Sequence, residues 1–227
     1  MQKPLLIIAT LSFLILPTLA TAAGPRPGAY ASAFLGVSIL DKIDVTTDEY
    51  FGSLDTYHDR IESNPGVYVG GTAGYDFGFL RLEGEMSYRQ NEMDKISDRD
   101  TGFNYGGVDG DIGVFAFMVN GFVDFHNAST VTPYFGGGVG VATIYLSDTF
   151  GTDSLGVRRI LYSEDDESVA AYQVGGGLDI ALNRYSSIDI GYRYFETEKA
   201  NFNSDWYQSK KFKCESHNVA VGVRFKF

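Results

Sequence analysis

Beyond its first two dozen residues, the chain runs in stretches where apolar positions alternate with polar or small ones at a period of two. That period marks strands with one apolar face. Eight strands are predicted, near 28–40, 65–77, 79–90, 110–125, 131–145, 168–182, 186–197 and 216–227. The last is the clearest: Val219, Val221, Val223, Phe225 and Phe227 share one face, and Asn218, Ala220, Gly222, Arg224 and Lys226 the other. In the third, Leu80, Leu82, Met86 and Tyr88 oppose Arg81, Glu83, Glu85 and Arg89. In the seventh, Ile188, Ile190, Tyr192 and Tyr194 oppose Asp189, Gly191 and Arg193. No segment carries a helical period.

Alternation does not say which face meets water. A soluble barrel or sandwich and a membrane barrel share the pattern and differ only in its direction. Three features favour the membrane. The polar stripe is mostly Gly, Ser, Thr and Ala, which suits the narrow lumen of an eight-stranded barrel. Its charges come in both signs: Arg81, Arg89, Arg193 and Arg224 against Glu83, Glu85, Asp124, Asp179 and Asp189. Pointed inward, they can pair and offset a desolvation cost of several kcal/mol per ion. Second, long connections around 41–64, 91–109, 146–167 and 198–215 alternate strictly with three short ones, as in outer-membrane barrels. Third, Tyr75, Phe77, Phe79, Phe125, Phe135, Tyr185, Phe225 and Phe227 gather beside the short turns or at the terminus, where an interfacial girdle belongs. The expected fold is an all-β, eight-stranded antiparallel up-and-down transmembrane barrel with four mobile outside loops. A soluble ligand-binding barrel survives only if the stripes point the other way.

The amino terminus adds an address. Lys3, an apolar run from Leu5 to Leu16 and the small residues Ala20, Thr21, Ala22 and Ala23 read as a signal peptide. Residues 1–22 are assigned to it, with cleavage near Ala20 to Ala23, and 23–227 to the barrel. No later segment approaches the roughly 20 apolar residues of a spanning helix. The net charge of -11 argues against a nucleic-acid partner, which needs a basic face. Cys214 is the sole cysteine, so an intramolecular disulfide is ruled out, and it reads as a free thiol, with a bridge to another chain as the alternative.

Candidate chemistry is sparse. His58, His126 and His217 are the only histidines, and none stands at metal-ligand spacing. His58 has Asp55 and Asp59 nearby, without a nucleophile motif. Acidic stretches, Glu164 to Glu167 and Asp41 to Asp59, lack the spacing of a calcium loop and read as solvated charge. Lys210, Lys211 and Lys213, beside Trp206, Tyr207 and Phe212, can reach lipopolysaccharide phosphates above the membrane, or serve as ordinary solvated charge. No cofactor or metal is expected.

The strands also carry a resemblance. The stretch Thr132 to Ala142 (TPYFGGGVGVA) resembles the Pro-Tyr, Gly-alternating strand of the small eight-stranded outer-membrane barrels, the group of the OmpA transmembrane domain, OmpX and the opacity-like proteins. Met118 to Phe125 (MVNGFVDF) is similar to their strand before a short periplasmic turn, and Gly222, Phe225 and Phe227 to their carboxy-terminal signal, read by the outer-membrane insertion machinery. The resemblance covers essentially all of 23–227. It implies a non-enzymatic surface protein of the outer membrane, contacting lipid and lipopolysaccharide. Its barrel is then an anchor and its loops serve adhesion, host-factor binding or envelope integrity. A narrow pore or a conduit for small hydrophobic molecules is the rival reading. Some members act on lipid A through a His and a Ser or a His and an Asp near the outer leaflet, but His126 and Ser129 fall in a periplasmic turn, away from that substrate. No peptidoglycan-binding module is expected after the barrel.

Overall fold

The computed structural model describes residues 27–50, 54–205 and 208–227; the expected signal peptide, Trp206 and Tyr207 lie outside them. The described residues form fifteen strands and no helix. Eight are the staves of a closed ring: β1 (Gly28–Leu40), β4 (Gly66–Asp76), β5 (Leu80–Asp98), β7 (Asp111–Asp124), β8 (Val131–Leu146), β11 (Asp165–Ala181), β12 (Ser186–Thr197) and β15 (Glu215–Lys226). Every stave pairs antiparallel with its neighbours, and β5–β7 and β1–β15 complete the circle. No sheet edge is left in the wall, which is the condition for strands to cross a bilayer. These are the eight strands expected from the alternation, with β5 running eight residues further.

The direction of the stripes is unambiguous. Arg81 is 1% exposed, whereas its neighbours Phe79 and Leu82 are 71% and 47% exposed. On β15, Val219, Val221, Val223 and Phe225 face out, and Asn218 and Arg224 are buried. An outer wall of Leu, Val, Ile and Phe around a charged interior is stable against lipid and unfavourable against water. The soluble alternative required the reverse. The short-turn rim carries the eight expected aromatic side chains, all exposed. A second girdle of Tyr88, Phe115, Tyr145, Tyr172 and Tyr192 circles the wall nearer the long connections, so the apolar band is bounded on both sides.

The long connections depart from expectation. They contain seven further strands: β2 (Ile43–Tyr50), β3 (Leu54–Ser63), β6 (Asn104–Asp109), β9 (Thr149–Thr152), β10 (Arg158–Tyr162), β13 (Ala200–Asp205) and β14 (Gln208–Phe212). With the upper part of β5 they pair in the order β13-β14-β2-β3-β5-β6-β9-β10. The four loops thus make one curved sheet above the barrel, here called the crown. Its inner face carries Ile43, Val45, Ile61, Met93, Ile96, Tyr162, Ala200, Phe202 and Phe212, all buried. That core continues down into the upper barrel through Ile112, Val114, Met118, Ile144 and Phe195. Loops with an apolar inner face fold rather than remain solvated, because burying each such side chain contributes roughly 1.5–3 kcal/mol.

Candidate functional site

The barrel interior holds every charged residue singled out from the polar stripes, Arg89 in its upper part and the others lower down. Arg81 Nε lies 3.1 Å from Asp124 Oδ2, and its guanidinium stands 4.6 Å from the Tyr134 ring centroid. Arg224 binds Asp179 and reaches Asp189 at 3.2 Å. Glu83 accepts the Tyr30 hydroxyl at 2.5 Å. Glu85 accepts from Gln173 at 2.8 Å, Asn120 at 3.0 Å and Tyr68 at 3.1 Å. Arg193 lies over Phe122, 4.6 Å from its centroid, with Tyr134 Oη at 3.5 Å. Arg89 lies over the Phe195 ring, 3.9 Å away, and donates to Asn218 at 3.3 Å.

Several members of this interior were missed in the sequence: Tyr30, Tyr68, Tyr134, Asn120, Gln173, and the pair Asp76–Lys226 at 2.5 Å. Each sits on the inward phase of its strand, so the same alternation that selected the charges could have found them. Bulky side chains fit because small residues face them. A Cβ on Gly138 would lie 2.1 Å from Asn120 Oδ1, and one on Gly177 would lie 2.5 Å from Tyr134 Oη. Between Ser32, Thr72, Glu83, Glu85, Arg193 and Arg224 a cavity of about 30 Å³ remains. That is room for one or two water molecules.

The other singled-out residues scatter. His58 faces outward and pairs with Asp100, its Nδ1 3.3 Å from Oδ1, while Asp59 points the other way. Ser129 Oγ bonds Asn127 within the turn that also carries His126. His217 Nδ1 meets the Tyr192 hydroxyl at 2.7 Å on the outer wall. Among the described residues no group of three or more His, Cys, Asp or Glu is gathered for a metal ion. Cys214 is buried in the upper core, where a bridge to another chain cannot reach it. The lysines divide. Lys213 stands on the outer wall with Glu196 at 2.8 Å and Glu215 beside it, and Lys211 pairs with Asp48 at 3.0 Å. Lys210 corrects the expectation of a surface contact: its side chain is buried, its ammonium 4.9 Å from the Tyr162 ring centroid inside the crown.

The crown's outer surface has one distinctive feature. The β9–β10 hairpin exposes Leu155 (81%), Ile160 and Val157, the only large apolar side chains so exposed above the wall besides Tyr57 among the described residues. Asp153 stiffens its tip. The carboxylate accepts the backbone N–H of Leu155 and of Val157, each at 2.9 Å, and Arg159 Nε at 2.6 Å. Those donors hold the Asp153 carboxyl below the usual carboxylate range, the Val157 N–H foremost. Gly156 takes the left-handed conformation the turn needs, φ +76°.

The chain is similar to known proteins. The chain is 27% identical to outer membrane protein PagN of Salmonella typhimurium, over 90% of its own length and 92% of that protein's. It superimposes on the outer membrane protein OprG of Pseudomonas aeruginosa with a TM-score of 0.57 at 15% identity, covering 90% of this chain and 98% of the other. A family model described as an outer membrane protein beta-barrel domain matches residues 6–227. A closed ring with its apolar face outward, a charged interior and this match establish that the chain belongs to the outer-membrane β-barrel family and resides in the outer membrane.

Proposed function

We propose that the barrel is a closed, non-enzymatic anchor and that the crown is the working part, contacting a host or extracellular partner outside the cell. The single observation that carries this reading is the contrast between the two halves. The lumen is filled by paired side chains, while the crown is a folded sheet that exposes Leu155, Val157 and Ile160 to water. Exposed apolar groups on a stiff hairpin are a contact surface by default. Such a surface binds rather than catalyses on this reading.

Supporting roles follow from position. Residues 1–22 direct export. Gly222, Phe225 and Phe227 present the signal to the insertion machinery. On this reading Lys211 and Lys213, near the outer girdle, are the candidates to meet lipopolysaccharide phosphates. The apolar upper interior is the observation that favours a conduit for small hydrophobic molecules instead, but its side chains are packed against one another. The anchor reading is therefore preferred.

The test displays the chain on a non-adherent Gram-negative strain and counts cells bound to cultured epithelium and to extracellular matrix. Replacing Leu155, Val157 and Ile160 together by Ser should cut binding at least fivefold with surface level unchanged. Full binding by that variant, or solute uptake that rises with expression of the native chain, overturns the proposal.

A further inference from the structure

The crown has a centre. Asp59, on β3 in the first loop, points inward opposite Val45 of β2 and Asp98 of β5. Tyr162, from β10 in the third loop, donates its hydroxyl to Asp59 Oδ2 at 2.8 Å. Lys210, from β14 in the fourth loop, is buried with its ammonium 4.9 Å from the Tyr162 ring centroid. The second loop contributes Asp98, Asp100 and, on β6, Tyr105. The remaining surroundings are apolar: Val45, Ile61 and Ile96 are buried. Four loops that touch nowhere in sequence therefore converge on one half-buried carboxyl group.

We propose that Asp59 is a pH-responsive latch that fastens the four loops into one unit and tightens as the surrounding medium turns acidic. A carboxylate in an apolar cup loses hydration that one phenol and one ammonium only partly replace. Asp98 and Asp100 add repulsion. Burial and these two acids hold the Asp59 carboxyl above the usual carboxylate range, against the opposing pull of Tyr162 and Lys210. The closed crown thus takes up a proton more readily than an opened one. Its closure strengthens as pH falls through the folded value and weakens as pH rises through it. The neutral carboxyl keeps its hydrogen bond with Tyr162, whose phenol burial holds far above its ordinary range. His58, next in the chain, faces the opposite side and pairs with Asp100, so it is separable from Asp59 by substitution.

The experiment is hydrogen exchange on the full chain in nanodiscs at pH 7.5 and 4.5, corrected for intrinsic rates, with peptides of 28–40 as the internal reference. Peptides covering 43–50, 54–63, 158–162 and 208–212 should open at least threefold more slowly at pH 4.5. Asp59→Asn should be slow at both values. Lys210→Met, which removes one of the two groups favouring the charged form, should move the onset of protection to higher pH. Equal protection of the native crown at both values overturns the latch, as does a pH-dependence that survives Asp59→Asn and vanishes in His58→Gln. Should Asp59→Asn fail to fold, an unmoved onset in Lys210→Met overturns it alone.

Discussion

Arg81 and Asp124 meet inside the barrel, Nε to Oδ2 at 3.1 Å, from the neighbouring staves β5 and β7, with side chains only 1% and 6% exposed. The pair sits low in the lumen, near the short turns. With the Arg224 pairs it closes that end of the interior. Removing one partner leaves the other as a buried, uncompensated charge. Arg81→Met or Asp124→Leu alone should destabilise the barrel by about 3–5 kcal/mol, whereas the double replacement should cost much less than the sum. Urea midpoints of refolded protein in detergent check this. An additive double variant would mean the two side chains act independently.

The lumen also depends on what is missing from it. At Gly138 an added side chain runs into Asn120 and the backbone of β7. Gly138→Val should cost about 1–3 kcal/mol, the usual penalty of overpacking, and weaken the shift in gel mobility between unheated and boiled samples. Gly84→Ala, on the outer wall with nothing nearer than 3.9 Å, should leave both measurements unchanged.

The staves were legible because a barrel wall imposes one rule on every residue: odd and even positions meet lipid or lumen without exception over ten residues or more. Arg81, Glu83, Glu85 and Arg89 announce that rule in a single stave. The crown obeys a weaker one. In β2 the inward set is Ile43, Val45 and Thr47, but Asp44, Thr46 and Asp48 between them read as a solvated acidic stretch. In β10 a register shift between Ile160 and Tyr162 breaks the alternation after three residues. Short strands with irregular register fold through partners distant in the chain, and no local pattern names those partners. Lys210 illustrates the cost. Its neighbours suggest a basic surface patch, and only the pairing of β14 with β2 turns it inward beside Tyr162.

Asp153 should respond to acid in the sense opposite to Asp59. Its carboxyl is held below the usual range by hydrogen bonds that exist only in the folded hairpin. That contribution is present above the ordinary carboxylate value of 3.8 and is lost as pH falls through the lower, folded value. Exchange at the β9–β10 tip should therefore stay constant between pH 7 and pH 5 and accelerate only below about pH 4. Asp153→Ala should show the fast rate throughout. A tip that loosens near pH 6 in the native chain would mean another group holds it.

Phe227 separates assembly from stability. Its side chain is 83% exposed, and its structural tie is the backbone, N–H to Ala29 O at 2.9 Å, which any residue but proline can make. If the ring serves as part of the insertion signal, Phe227→Ala should leave the urea midpoint of protein refolded in detergent within about 0.5 kcal/mol of native, the range of a surface change. The same variant should lower the yield of folded barrel in the outer membrane several-fold, and Phe227→Tyr should recover most of it. A ring that acts instead as an interfacial anchor predicts a different pairing, in which midpoint in a lipid bilayer and cellular yield fall together. Comparing the two measurements on one variant decides between them, because the backbone tie that both readings share is untouched by the substitution.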